Sequence, residues 1–404
     1  MSALDQGNNK TMKGRTLLLA LFLAVICGSL AVRSAQNPNP DEIHETYELA
    51  AGGSVSVSNL SGYIRVSGWD ENRVRVDAIK RGARREEFGE VQIQISSTPG
   101  SLVVRAISQR TREARISPQV TVDFDIKVPR SAILSSVTSS SGEVQVRGPV
   151  AQVTARSSSG SIDVRDVRGT TSLTTTSGPI IARNTGGPAA DTVAISTSGS
   201  VDVEQPNGRT TARSLSGAVS VIGAAGDVTA DSTGGQVRVE RARGRVNASC
   251  NSGKVLVRDA AEGVTARGVS GGIEITQAKG RVSAITLSGG IILKEVESVD
   301  VVAKTTSGNV TFEGRVGPSG RYALETFSGV VLVTIPDDSQ FTLTARTFNG
   351  SMNTEFPIQI EPGSIGGDRQ IRGTAGKGGG EIIATSFNGR IEIRKARSKV
   401  PAGR

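Results

Sequence analysis

A Ser-Gly or Asn-Gly pair returns about every 18 residues through most of this chain, and that spacing leaves few folds open. Its glycines stand at Gly142, Gly160, Gly178, Gly199, Gly217, Gly235, Gly253, Gly271, Gly289, Gly308, Gly329, Gly350 and Gly389. Around each one the same residue types recur. Two and four positions after it come Val or Ile, as in Val237 and Val239, then Val255 and Val257. Seven and five before it come Val and Ala, as in Val228 and Ala230, then Val246 and Ala248. Three before it stands a small polar residue: Ser157, Thr175, Ser196, Ser214, Ser232, and once Cys250. Alternation within each half of the repeat marks two short strands, each with one inward face.

Two strands and two corners within one repeat leave no room for a helical crossover. The economical solution is one coil of a parallel β-solenoid, each coil hydrogen-bonded to the next. A three-faced left-handed helix of six-residue sides has the same coil length, but its inward residues recur every six. Here they recur every two. The expectation is an all-β, parallel β-solenoid with coils of about 18 residues, right-handed, with an N-terminal β cap. About 13 coils at ~4.8 Å each predict a rod ~60 Å long. A second glycine between the halves, at Gly169, Gly208, Gly226, Gly244 and Gly280, is expected to make a corner at positive φ. Composition agrees: 49 glycines in 404 residues and only 3% aromatics suit a thin core of stacked strands.

Residues 1–35 read as a secretory signal or N-terminal membrane anchor. Lys10, Lys13 and Arg15 precede the apolar run "TLLLALFLAVICGSLAV" at 16–32. Cleavage after Ala31, or at a second site marked by Val32 and Ser34, gives an exported chain; an uncleaved run gives an anchored one. Residues 36–43 form a linker. Residues 44–140 hold strand-like segments without the repeat and are expected to cap an exposed end, since bare strand edges pair with other chains. The array occupies 141–395, and the larger Phe327, Phe348 and Phe387 are expected to close its far end. Residues 361–380 read as a glycine-rich excursion, and 396–404 as a basic tail. Cys27 lies in the signal, so Cys250 is the one cysteine of the mature chain and no intramolecular disulfide forms.

The segments "GYIRVSGWDENRVRV", "IKVPRSAILSSVTSSSGEVQV", "IPDDSQFTLTARTFNGSM" and "GGGEIIATSFNGRIEI" occur in an order that resembles the bacterial DUF4097 family, over about 44–395. That resemblance implies a β-helical head-type domain and an adhesin-like role in bacteria. The family supplies no catalytic residues to carry over.

Chemistry is sparse. The one histidine, His44, is placed ahead of the first strand, and no nucleotide-phosphate loop or zinc-protease pattern is present. Cleaving glycans takes two carboxylates across a cleft. Asp123 with Asp125 reads as a solvated strand face, and Asp337-Asp338 as a turn. No catalytic, cofactor or metal residue is assigned, and no cofactor is expected. The net charge of +9 is scattered, with clusters at Lys80-Arg81-Arg84-Arg85 and Arg110-Arg112-Arg115. Without aromatics among those cations, nucleic acid is not expected as a partner.

Four before each marker glycine, an outward column holds Arg156, Arg213, Arg267, Lys304 and Arg346, with other residues between them. It is the candidate surface for an anionic glycan or lipid, or for another envelope protein. Membrane contact is expected only through the N-terminal segment. The function expected is an exported, non-enzymatic binding, adhesion or scaffold protein of the bacterial envelope. The alternatives are a glycan-active lyase or hydrolase and a membrane-tethered sensor or regulatory accessory.

Overall fold

The structure is a computed structural model that describes residues 41–109, 120–361 and 370–396. The expected signal or anchor, the Arg110-Arg112-Arg115 cluster and all of the basic tail after Ala396 lie outside the described residues. Apart from one 3-10 turn at Arg85–Glu90, every described element is a strand.

Each repeat makes two strands, one in each of two long sheets, and consecutive repeats pair in parallel and in register. Val228–Ser232 lies on Val246–Cys250 with Val228 opposite Val246, Ala230 opposite Ala248 and Ser232 opposite Cys250. The other half of the coil does the same, with Val237 opposite Val255 and Val239 opposite Val257. Alternate residues point inward, so the valine and alanine columns of both sheets meet in one continuous core. Two sheets, not three, enclose it. The architecture is the expected all-β parallel solenoid.

Glycine is required at the marker position by space. A Cβ on any marker glycine would sit only 1.7–2.5 Å from the carbonyl oxygen of the marker in the neighbouring coil. The glycine column packs backbone on backbone along the array. It also contains Gly62, which carries Gly142 directly on its carbonyl. Ser61-Gly62, with Val55, Val57, Ile64 and Val66 buried around it, is thus a further coil, ahead of the array expected from 141 onward.

The second glycines need correction. Of the five expected to adopt positive φ, only Gly280 does, at 71°. Gly169 and Gly208 are instead held by close approach, a Cβ there lying 2.1 Å from a carbonyl oxygen of the neighbouring coil. The left-handed corner sits six residues after the marker, and mostly on larger residues: Asp166, Asn184, Gln205, Arg241, Asp259, Gln277 and Glu295. A non-glycine residue there is disfavoured. Side-chain bonds between rungs offset part of this cost, as where Asn184 Nδ2 donates to Asp166 Oδ1 at 2.7 Å.

At both ends, order along the chain departs from order in space. The first coil, Ser54–Asn59 with Ile64–Trp69, is sandwiched between the main array and a coil made by Ser101–Ser108 and Thr121–Pro129. Outside that, Val91–Thr98, Arg73–Arg81 and the edge strand Glu42–Glu48 run antiparallel. The charged edge "EIHETYE" discourages pairing with another sheet. At the far end Gly380–Asn388 and Ile391–Lys395 insert between the coil of Arg321–Ser328 with Val331–Ile335 and the coil of Phe341–Asn349 with Met352–Thr354. The long last step, from Gly350 to Gly389, therefore carries Met352–Thr354, Ile358–Ile360 and Gln370–Ala375 before the inserted strand Gly380–Asn388. Part of the glycine-rich stretch is the strand Gln370–Ala375, antiparallel to Phe341–Asn349 and to Ile358–Ile360.

Phe327, Phe348 and Phe387 do not close this end. They are 51%, 55% and 39% exposed on one edge of the rod, Phe387 stacked between the other two at 4.8 Å on each side. The buried aromatics near this end are Phe312 with Tyr322 and Phe341 with Phe356, each pair edge to face.

Candidate functional site

The hydroxyl column inside the rod is the first place to look for a nucleophile, and its hydrogen bonds are already committed. Ser232 Oγ accepts from the Gly235 N–H at 2.9 Å and donates to the Gly217 carbonyl, also at 2.9 Å. Ser214 repeats this with Gly217 and Gly199. Thr286, Thr305, Thr326 and Ser386 donate to the marker carbonyl of the adjacent coil. Ser214 and Ser232 thus each serve backbone groups of two coils, and the others tie their coil to the adjacent one. Cys250 fills the same slot, taking the Gly253 N–H at 3.0 Å and facing the Gly235 carbonyl at 2.9 Å. Sulfur is a weak donor and acceptor in a place shaped for oxygen. Buried at 2% exposure, Cys250 is expected to react with thiol reagents only after denaturation. Cys250→Ser should raise the unfolding midpoint, by about 0.5–1 kcal/mol of stability. Rapid labelling of the native protein would show that the rung is open.

The acids and the histidine are structural in their contacts. Asp123 is not a solvated face residue: it is buried, receives Arg81 at 2.6 Å and accepts the Tyr63 N–H at 3.2 Å. Asp125, two residues on, is exposed. Asp337 and Asp338 lie exposed in a turn. His44 is not ahead of the first described strand but inside it, its Nδ1 2.7 Å from Asp77 and its Nε2 3.6 Å from Glu42. The bond to Asp77 raises the imidazole pKa above its ordinary value. A raised value means that protonated His44 favours the folded strand pair. That contribution is full below the ordinary histidine pKa and is lost as pH climbs through the raised one. An NMR titration of this one histidine should fall toward the ordinary value in Asp77→Asn, Glu42 keeping a smaller upward pull; an unchanged titration would rule out the pairing. Among the described residues no group of three or more His, Cys, Asp or Glu is placed to hold a metal ion.

The column predicted to bind anions is continuous in register. From Arg156 it passes through Thr174 and Ile195 to Arg213, then through Asp231 and Ser249 to Arg267, and through Ile285 to Lys304. Glu325 and Thr385 then lead to Arg346. The side chains share one face, yet the cations lie two or three rungs apart, roughly 10–14 Å at strand spacing. Arg213 is paired with Asp231 at 2.9 Å and Lys304 with Glu325 at 2.8 Å. The column is a sparse line of cations, in which Arg213 and Lys304 each sit against an acidic neighbour.

A denser line lies on the other sheet. Five residues after the marker glycine, Arg147, Arg165 and Arg183 occupy consecutive rungs directly opposite one another. The expected binding residues did not include them, because the apolar columns at two and four dominate that half of the repeat. Arginines returning at the spacing of the marker glycines were the available signal.

Fold and surface together define a two-sheet β-solenoid that displays registered side-chain columns on its outer faces. Residues 210–394 match the family model of Toastrack DUF4097. Among solved structures, the chain is similar to a candidate cell adhesion protein of Clostridium sporogenes, at 9% identity and a TM-score of 0.18, covering 89% of this chain and 100% of the other. It is also similar to a candidate adhesin of Bacteroides fragilis, at 13% identity and a TM-score of 0.25, covering 67% of this chain and 98% of the other. No curated protein matches the chain.

Proposed function

We propose that this chain is exported and acts in the bacterial cell envelope as a non-catalytic binding, adhesion or scaffold solenoid. The observation that carries this reading is the use to which its polar groups are put. Inward hydroxyls bridge backbone groups of adjacent coils, while the outward faces repeat side chains rung after rung. Such a surface suits an extended ligand that follows the rod. Several outward carboxylates are engaged by arginines: Asp163 by Arg165 at 2.8 Å, Glu204 by Arg183 at 2.9 Å, and Glu392 by Arg390 at 2.6 Å. The charged start and apolar run of residues 10–32 support export.

Cell fractionation with N-terminal sequencing of the recovered protein tests the location. The expected result is an envelope or extracellular chain that begins near residue 32, or one that retains 16–32 in a membrane fraction. A cytoplasmic chain with an intact N-terminus would overturn export. A panel of envelope glycans assayed for both binding and turnover tests the rest, and cleavage of any of them would overturn the non-catalytic reading.

A further inference from the structure

The arginine line on the second sheet extends beyond the regular coils. In register across successive rungs stand Arg75, Lys127, Ser67, Arg147, Arg165 and Arg183. At ~4.8 Å per rung the line runs ~24 Å along the rod. Like charges directly opposite on neighbouring strands destabilise a sheet, so the line is a cost to folding unless an anion meets it. Its outer members are partly neutralised, Arg75 by Asp77 at 2.8 Å, and Arg165 and Arg183 by the acids named above.

The middle of the line is different. The short side chain of Ser67, between Lys127 and Arg147, opens a hollow of about 320 Å³ bordered by Arg65, Gln145, Arg147 and Asp125. Arg65 lies over the Tyr63 ring at 4.2 Å and Lys127 faces the Trp69 ring at 5.8 Å. Neither they nor Arg147 form an ion pair with a described carboxylate. Two guanidinium groups without a carboxylate partner among the described residues thus flank one small polar hollow in the centre of a cation line.

We propose that this hollow seats a carboxylate of a linear acidic polysaccharide whose chain lies along the rod axis. A carboxylate matches the guanidinium forks of Arg65 and Arg147. The column beside the cations explains why a sugar is favoured. It runs Asp77, Asp125, Arg65, Gln145 and Asp163 in register. Sugar hydroxyls can donate to the exposed Asp125 and pair with the Gln145 amide while uronate carboxylates meet the cations. A lipid surface or a phosphodiester backbone would set its negative charge against Asp125 with few donors to offer. The proposal rests on the binding reading above and names its ligand class.

The test uses the full chain and polygalacturonate oligomers, titrated calorimetrically, with neutral dextran and phosphatidylglycerol vesicles as comparators. Saturable binding that weakens with salt is expected, falling at least ten-fold in Arg65→Gln/Arg147→Gln. Arg321→Gln, on the other sheet and outside both cation columns, should stay within two-fold of the parent. Circular dichroism establishes that each variant is folded, and Lys127→Gln gives an independent loss should the double variant fail to fold. The seat is refuted if polygalacturonate does not bind, if the double variant binds like the parent, or if vesicles bind and the sugar does not. Each of those results leaves the non-catalytic reading standing. Shortened or unsaturated uronate products would overturn that reading and leave the seat in place.

Discussion

Gly271→Ala is expected to destabilise the array by on the order of 3 kcal/mol, as overpacking at a site that cannot yield does. The new Cβ would lie 1.7 Å from the Gly253 carbonyl oxygen and 2.6 Å from its carbon. Backbone atoms cannot step aside as a flexible side chain would. The coils must separate locally, which disturbs the Ser270 N–H bond to Asn251 at 2.7 Å and the Thr286 bond to the Gly271 carbonyl at 3.0 Å. Gly234→Ala is the control, because a Cβ there meets nothing closer than 3.6 Å. It should shift stability by no more than about 0.5 kcal/mol. Urea unfolding followed by circular dichroism compares the two. Amide exchange in Val255–Ala260 and Ile273–Ala278 shows whether damage is local, since repeat arrays lose neighbouring coils before the whole. Equal midpoints for the two variants would mean that the glycine column is not in close contact.

Ser232→Ala is expected to cost about 2–4 kcal/mol, close to the sum of two buried backbone groups left without partners. The hydroxyl serves the Gly235 N–H and the Gly217 carbonyl at once, and alanine serves neither. Ser232→Thr should be tolerated within about 1 kcal/mol, because Thr286 and Thr305 already occupy equivalent rungs. If alanine and threonine proved equally harmless, the hydroxyl column would be filler and the coils would be held by apolar packing and strand pairing alone. Chemical denaturation of the three proteins decides it.

The regular coils were legible because one physical demand repeats: a residue without a Cβ where backbones touch, a hydroxyl beside it, and aliphatic residues at alternate positions inward. Cys250 could be assigned to its rung by that rule before any coordinate. The corners were misread because positive φ was assigned to glycine. Here side-chain bonds between rungs, such as Asn184 to Asp166, let larger residues hold the left-handed position. The ends were opaque for another reason. That Lys127 stands between Arg75 and Ser67 depends on strands far apart in sequence being interleaved, and no local period encodes it. The line of Arg147, Arg165 and Arg183 was readable from spacing; its continuation to Arg75, and the hollow at Ser67, were not.

The interleaved ends limit how such a rod can change length. Duplicating one repeat unit between Val150 and Val310 adds one more layer and leaves both closures intact. Adding a unit after Lys395 does not, because that strand already has neighbours on both sides, Val331–Ile335 and Met352–Thr354. Synthesis meets the same constraint: the outermost coil of the far end emerges from the ribosome before the layer on which it rests. Elongation by gene duplication is therefore confined to the middle of the molecule, and completion of the far end must wait for the final strands.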